Sequence, residues 1–357
     1  MNYLKDLVSI NTIEDLKNNE FINYIAKVLE TKGFNNIVMN SKINHKKCLI
    51  SKSKDNCNFC FIGHSDTVTY SDGWNYEKFD ITEDCNNIYG LGVADMKGGI
   101  AAFLSALDRI DIKKLKYGIM VIITFDEEIG FEGINLIKDY KEIPENILIG
   151  EPTDLVPVIA CKGCVEYKIY FKGTSVHSSL SPKGQNAIEN ALKFINALSD
   201  LYDSNIKTEL NNNFDIPYTT MNLSTINGGT AINIVPNNCC LTFDLRTICK
   251  NHHLKINKFV EENSKLYNYD YSKLTDVLPT NNDSSSIKEY YEKLTNNKTI
   301  AFNYVTEGNF LDKSNIIILG PGPVTAHEVN EHISKESFTK TIDLYEKIIY
   351  NYCGGNK

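Results

Sequence analysis

Three apolar, β-rich runs in this chain, residues 59–63, 117–125 and 147–150, are each followed at once by a histidine or an acid. His64 and Asp66 sit in G-H-S-D-T, Glu127 and Glu128 in T-F-D-E-E, and Glu151 in I-G-E-P-T. Asp95 lies in G-V-A-D-M-K-G-G and His327 in G-P-G-P-V-T-A-H-E. Strands that end this way constrain the fold, because an α/β sheet gathers its chemistry where strands stop and loops begin.

The pattern around these runs supports that class. Leu16, Phe21, Ile22, Ile25, Val28 and Leu29 draw one amphipathic helix over residues 14–33, closed by Gly33. Residues 97–110 and 133–140 read as further helices between buried strands. Strands alternating with helices predict an α/β domain with a mixed, mainly parallel sheet covered on both faces. After Lys162 the style changes. Val165, Tyr167, Ile169 and Phe171 alternate, as in a strand with one exposed face. A helix over 186–202, strands near 219–226 and 240–246 and a helix over 253–267 complete an α+β layer. A helix near 284–294, a strand at 316–319 and a last helix capped by Ser334 return to the first style. The expected division is therefore a discontinuous domain, 1–162 with 277–357, interrupted by an inserted domain, 163–276.

Composition excludes several classes. With 37 basic and 45 acidic residues the net charge is −8, which speaks against a nucleic-acid partner. The longest apolar run falls far short of the roughly 20 residues of a spanning helix, so no membrane association is expected. Lys5, Asp6, Glu14 and Asp15 interrupt any secretory h-region. A cytoplasmic setting with reduced thiols follows for the ten cysteines. The pairs Cys57/Cys60 and Cys161/Cys164 stand about a hundred residues apart, too far for ribbon-type zinc spacing, and read as inert, mostly buried thiols.

Two histidines and several carboxylates without a thiolate suit a hydrolytic Zn²⁺, Co²⁺ or Mn²⁺ centre. Asp95 is the natural bridge between two ions, with the glycines after it allowing close backbone packing behind them. His64 and Glu151 are then expected to complete opposite metals with Glu128 and His327. Asp66, two residues after His64, is expected to orient its imidazole. Glu127 and Glu128 are adjacent and diverge, so one serves as ligand and the other as general base.

These motifs, with Y-G-L-G-V-A-D-M-K-G-G and D-E-E-I-G, resemble those of the zinc metallopeptidase family that includes aminoacylase, carboxypeptidase G2, succinyl-diaminopimelate desuccinylase and acetylornithine deacetylase. The resemblance runs from about His64 to His332. It implies two divalent ions, Zn²⁺ foremost, held by His64, Asp95, Glu128, Glu151 and His327. Asp95 is the bridge, Glu127 the general base and Asp66 the orienting acid. It also implies a cis peptide after Asp95, a lid domain that forms a homodimer, and a role for His177 of G-T-S-V-H-S-S at an oxyanion. An ordinary loop histidine is the competing role for His177.

A-C-K-G-C-V-E, F-D-I-P-Y-T-T-M-N-L, I-N-G-G-T-A-I-N-I-V-P and V-T-E-G-N-F-L are most similar to the acetylornithine deacetylase branch. The implied reaction converts N²-acetylornithine to ornithine and acetate, a step of arginine biosynthesis. Asn233 and Arg246 are candidates for the substrate carboxylate, and Glu307 for a substrate ammonium. A structural ion pair with Asp244 competes for Arg246, and a structural hydrogen bond for Glu307. Two departures stand out: Thr69 replaces a common Pro, and Cys161 a common His. The desuccinylase, an acetyl-lysine deacylase, a di- or tripeptidase and a non-catalytic binding protein of the same fold remain alternatives. His252, His253 and His332 are expected at the surface or behind the ligands.

Overall fold

A computed structural model describes residues 2–13, 18–282 and 284–354. The expected helix over 14–33 is observed as Asn18–Thr31; its predicted start, with Glu14 and Leu16, lies outside the described residues. The chain divides into two compact units, which are Met1–Ile159 with Asn282–Ile300 and Phe310–Lys357, and Ala160–Asn281 with Ala301–Asn309.

In the first unit the sheet runs in the order Asn35–Asn40, Lys47–Lys52, Gly118–Thr124, Cys57–His64, Asn146–Ile149, Asn315–Ile318, and Val158 pairs with Ile318 at its far side. The four strands from Gly118–Thr124 to Asn315–Ile318 are mutually parallel, and the pairings outside them are antiparallel. Every residue of Gly118–Thr124 is buried. Since neighbouring side chains of a strand point to opposite faces, both faces of the sheet are covered there. The helices Lys97–Leu107 and Lys335–Cys353 pack together, and Phe61 stacks on Phe103 at 4.1 Å with Tyr345 edge-on beside it. Ser334 caps the last helix by accepting the N–H of Ser337. The helix Asn2–Ser9, which seats Leu4, Leu7 and Val8 in this core, has too few turns to announce itself by periodicity.

The second unit is an antiparallel sheet ordered Thr220–Gly228, Asn238–Thr247, Gly163–Lys172, Tyr269–Val277. The alternation anticipated at Val165 holds from Val165 to Lys172 and throughout Asn238–Thr247. Helices Ala187–Asn205 and Lys250–Asn263 cover the sheet through Phe194, Leu198, Ile256 and Val260. Tyr269–Val277 was not anticipated, since most of its residues are exposed and little apolar pattern marks it. This unit begins at Ala160, ends at Asn281 and takes back Ala301–Asn309, so it differs from the expected 163–276. Hydrogen bonds explain the return of that segment. Phe302 accepts the N–H of Lys162, and the Asn309 side chain donates to the carbonyls of Lys162 and Leu278.

Among the described residues no helix is long and apolar enough to cross a membrane. All ten cysteines are free thiols.

Candidate metal centre

Parallel pairing brings the strand-end residues to one edge of the first sheet. His64 lies opposite Thr124, and Ile62 opposite Ile149. The turn after Thr124 and the segment after Ile149 therefore leave the sheet beside His64. Asp126 adopts φ 59° in that turn, and His327 adopts φ 66° in its own loop. Asp95 arrives on the loop before helix Lys97–Leu107, and the Asp95–Met96 peptide is cis. A Cβ on Gly99, in the first turn of that helix, would stand 2.0 Å from the carbonyl oxygen of Gly150. Glycine is thus required for the helix to lie against the strand that delivers Glu151.

Two groups of ligand atoms result, His64–Asp95–Glu151 and Asp95–Glu128–His327, each with its atoms within 4.8 Å of one another. His64 Nε2 is 3.0 Å from Asp95 Oδ1 and 3.4 Å from Glu151 Oε1. His327 Nε2 is 3.1 Å from Glu128 and 3.6 Å from Asp95 Oδ2. Asp95 is common to both groups. The expectation that His64 and Glu151 serve opposite metals is corrected: they share a group. Strands Cys57–His64 and Asn146–Ile149 are hydrogen-bonded neighbours, so their ends face one position.

His64 Nδ1 lies 3.0 Å from the main-chain oxygen of Asp66 and 3.5 Å from its carboxylate. The Asp66 carboxylate also accepts the N–H of Glu128 at 3.1 Å, tying the two ligand loops together. Glu331 was not singled out from the sequence. Its carboxylate accepts the N–H groups of Gly92 at 2.7 Å, Ala94 at 2.8 Å and Asp95 at 3.0 Å. Its place in the H-E-V-N-E run was visible, but its partners lie more than two hundred residues away.

The electrostatics are those of a donor set that wants cations. Desolvation and then the Asp95 carboxylate push Glu151 up to about 8. Desolvation raises Glu127 well above the carboxylate range, with Glu151, Glu128 and Asp95 adding to it. Burial alone would lower His64, yet the surrounding carboxylates lift it well above the usual imidazole value. The bond to Glu128 raises His327 to about 9. Glu151 Oε1 is buried and, with His64 Nε2 at 3.4 Å, has no well-formed hydrogen bond among the described residues. Carboxylates crowded in this way repel one another unless positive charge lies between them. The residues fit a pair of divalent ions.

The model of peptidase family M20/M25/M40 matches residues 60–351. The chain belongs to this family. Among curated relatives of this M20 chain is the acetylornithine deacetylase of Buchnera aphidicola subsp. Acyrthosiphon pisum (strain Tuc7). It is 33% identical over 371 residues, covering 98% of this chain and 97% of that protein. The acetylornithine deacetylase of Pasteurella multocida (strain Pm70) is 31% identical over 363 residues, covering 97% and 94%. A metallo-carboxypeptidase from Sulfolobus solfataricus has the same fold with TM-score 0.77 at 18% identity, covering 98% of each chain. Aminopeptidase PepT from Bacillus cereus ATCC 10987 follows at TM-score 0.76 and 21% identity, covering 98% of this chain and 96% of that one. The M20 chain is a hydrolase, and its family supports metal-dependent cleavage of an amide bond.

The residues predicted to contact the substrate lie in the second unit. His177 caps a helical turn, its Nδ1 accepting from the N–H of Ser179 at 3.2 Å, with the Ser179 hydroxyl 2.8 Å away. When neutral it therefore carries its proton on Nε2. Asn233 stands beside it, its carbonyl accepting the N–H of Ser178 at 2.9 Å. Arg246 is bonded to Asp244 at 3.3 Å and lies 3.6 Å from Glu166, the structural ion pairing weighed against a substrate role. Glu307 is buried. Cys161 is buried too, its Sγ 3.6 Å from the Thr306 hydroxyl. His252 and His253 depart from expectation: both are fully buried, because helix Lys250–Asn263 turns them toward the sheet.

Proposed function

We propose that this M20 hydrolase removes the acyl group from an N-acyl amino acid and that N²-acetylornithine is its substrate, giving ornithine and acetate. The observation that carries the reaction is Asp95, shared by both ligand groups. His64 and Glu151 would hold one ion, Glu128 and His327 the other, with Zn²⁺ the first choice and Co²⁺ or Mn²⁺ next. Such ions polarise an acyl carbonyl and acidify a water at neutral pH.

The side chains do the rest. Glu127 takes the proton of the attacking water and returns it to the leaving nitrogen, so one carboxylate serves as base and then as acid. Asp66 orients His64. His177, with its proton on Nε2, donates to the oxyanion. Asn233 and Arg246 bind the substrate carboxylate, and Glu307 faces its ammonium group. A homodimer through the inserted unit has support in strand Thr220–Gly228, whose outer edge is unpaired among the described residues and which exposes Leu223 and Ile226. Free thiols agree with a cytoplasmic setting.

The relatives named acetylornithine deacetylase support the substrate. A desuccinylase, an acetyl-lysine deacylase or a di- or tripeptidase would use the same ligands. A binding protein that had lost the chemistry would have no use for Glu127. A panel of N²-acetylornithine, N²-acetyl-lysine, N-succinyl-diaminopimelate and dipeptides, followed by amine release on metal-loaded protein, tests the reading. Preference for acetylornithine is expected. Preference for another member overturns the substrate, and no turnover of any overturns the reaction.

A further inference from the structure

The second unit holds a cluster of ligating side chains that the hydrolytic reading does not use. Glu209, Cys249 and His252 each offer one donor atom, and the three atoms lie within 4.8 Å of one another. His252 Nε2 is 2.9 Å from Glu209 Oε2, and Cys249 Sγ is 3.8 Å from Glu209 Oε1. Cys249 directly precedes the fourteen-residue helix Lys250–Asn263 and His252 lies in its first turn, which brings their donor atoms together. Glu209 comes from the segment after helix Ala187–Asn205, held by its N–H to the Ile206 carbonyl at 3.3 Å.

His252 is set up as a ligand is. Its side chain is wholly buried, and Nδ1 meets the Thr219 hydroxyl at 2.9 Å. That hydroxyl already accepts the N–H of Ile248 at 3.0 Å, which fixes its position. It can donate to Nδ1 when Nε2 carries the proton, or accept from Nδ1–H when Nε2 is given to a cation. Burial acts to lower the imidazole from its usual value, against the neighbouring Glu209 carboxylate. Burial also pushes the Cys249 thiol up, while the N–H groups of His252 and Asn251 pull the other way. Coordination therefore displaces the thiol proton to solvent. Glu209 is half exposed and leaves an entry path.

We propose that Glu209, Cys249 and His252 form a third cation site that takes Zn²⁺. A thiolate, an imidazole and a carboxylate select zinc over magnesium, calcium or manganese, and three protein ligands leave a fourth position for water. The ion ties the segment after one helix to the start of another. It clamps the fold of the second unit, apart from the hydrolytic residues.

Metal-stripped protein titrated with Zn²⁺ and counted by elemental analysis is the test, with Cys249→Ser and Glu209→Gln as partly exposed variants. Wild type is expected to hold one ion per chain more than either variant, while both variants keep hydrolytic activity. With Co²⁺, wild type is expected to show a thiolate-to-cobalt charge-transfer band that Cys249→Ser lacks. Equal metal counts in all three proteins overturn the site and leave a histidine–glutamate hydrogen bond beside a thiol. A charge-transfer band that persists in Cys249→Ser also overturns it. Failure of the amide-hydrolysis reading would instead show as loss of turnover with this count unchanged.

Discussion

The carboxylate of Glu331 accepts the backbone N–H of Asp95 at 3.0 Å while also holding Gly92 and Ala94. One buried acid thus fixes the loop that carries Asp95, the residue common to both candidate groups. Desolvation pushes Glu331 up to about 7, and these three N–H groups act against that rise.

Glu331→Ala should therefore loosen Asp95 without touching any ligand. Loss of a group that orients a ligand lowers metal affinity or activity by about 10–100-fold. Glu331→Gln, which keeps one acceptor oxygen, should recover part of it. Competitive metal titration of both variants is the check. Unchanged affinity in Glu331→Ala would mean that the loop is held by its own packing.

Glu127 and Glu128 should separate cleanly. Glu127→Ala is expected to lower kcat by about 10²–10⁴-fold, the usual worth of a general acid–base group, while metal content stays near that of wild type. Glu128→Ala should lose metal as well. Elemental analysis beside steady-state kinetics decides it, since metal loss in Glu127→Ala would make that residue a ligand.

Gly99→Ala should destabilise the first unit. The added methyl would meet the Gly150 carbonyl at 2.0 Å, and backbone cannot swing away as a side chain can. Overpacking of this kind costs about 1–3 kcal/mol. Urea denaturation should show it, with metal affinity reduced because Glu151 follows Gly150 directly.

Chelation should abolish activity, and Zn²⁺ or Co²⁺ should restore it. Metal at a hundredfold excess over its Kd stabilises a native state by about 2.7 kcal/mol, so Tm should fall on stripping. Scanning calorimetry of stripped and reloaded protein checks this.

His177→Gln should lower kcat by about 10²–10³-fold with metal content unchanged, the loss typical of one oxyanion donor. A change in KM alone would assign the residue to substrate binding.

Much of the architecture was legible in the chain. The β-rich runs before His64 and Glu151 became parallel neighbours, and the alternation at Val165 became a strand of the second sheet. Local chemistry encodes such features, since burial on both faces demands an unbroken apolar run and burial on one demands alternation. The candidate donors His64 and Glu151 were legible for a like reason, since each directly follows a buried apolar run, whereas Asp95 and His327 stand in loops and were legible only from the motifs around them.

The amino-acid sequence by itself determined the class of fold, the family and the candidate ligands. Tertiary structure alone decided that His64 and Glu151 share a group, that Glu331 holds the Asp95 loop and that Ala301–Asn309 joins the second unit. It alone buried His252 next to Glu209 and Cys249. Each of these depends on backbone and side-chain partners far apart in the chain, and hydrogen bonds over such separations leave no periodicity for a local pattern to carry.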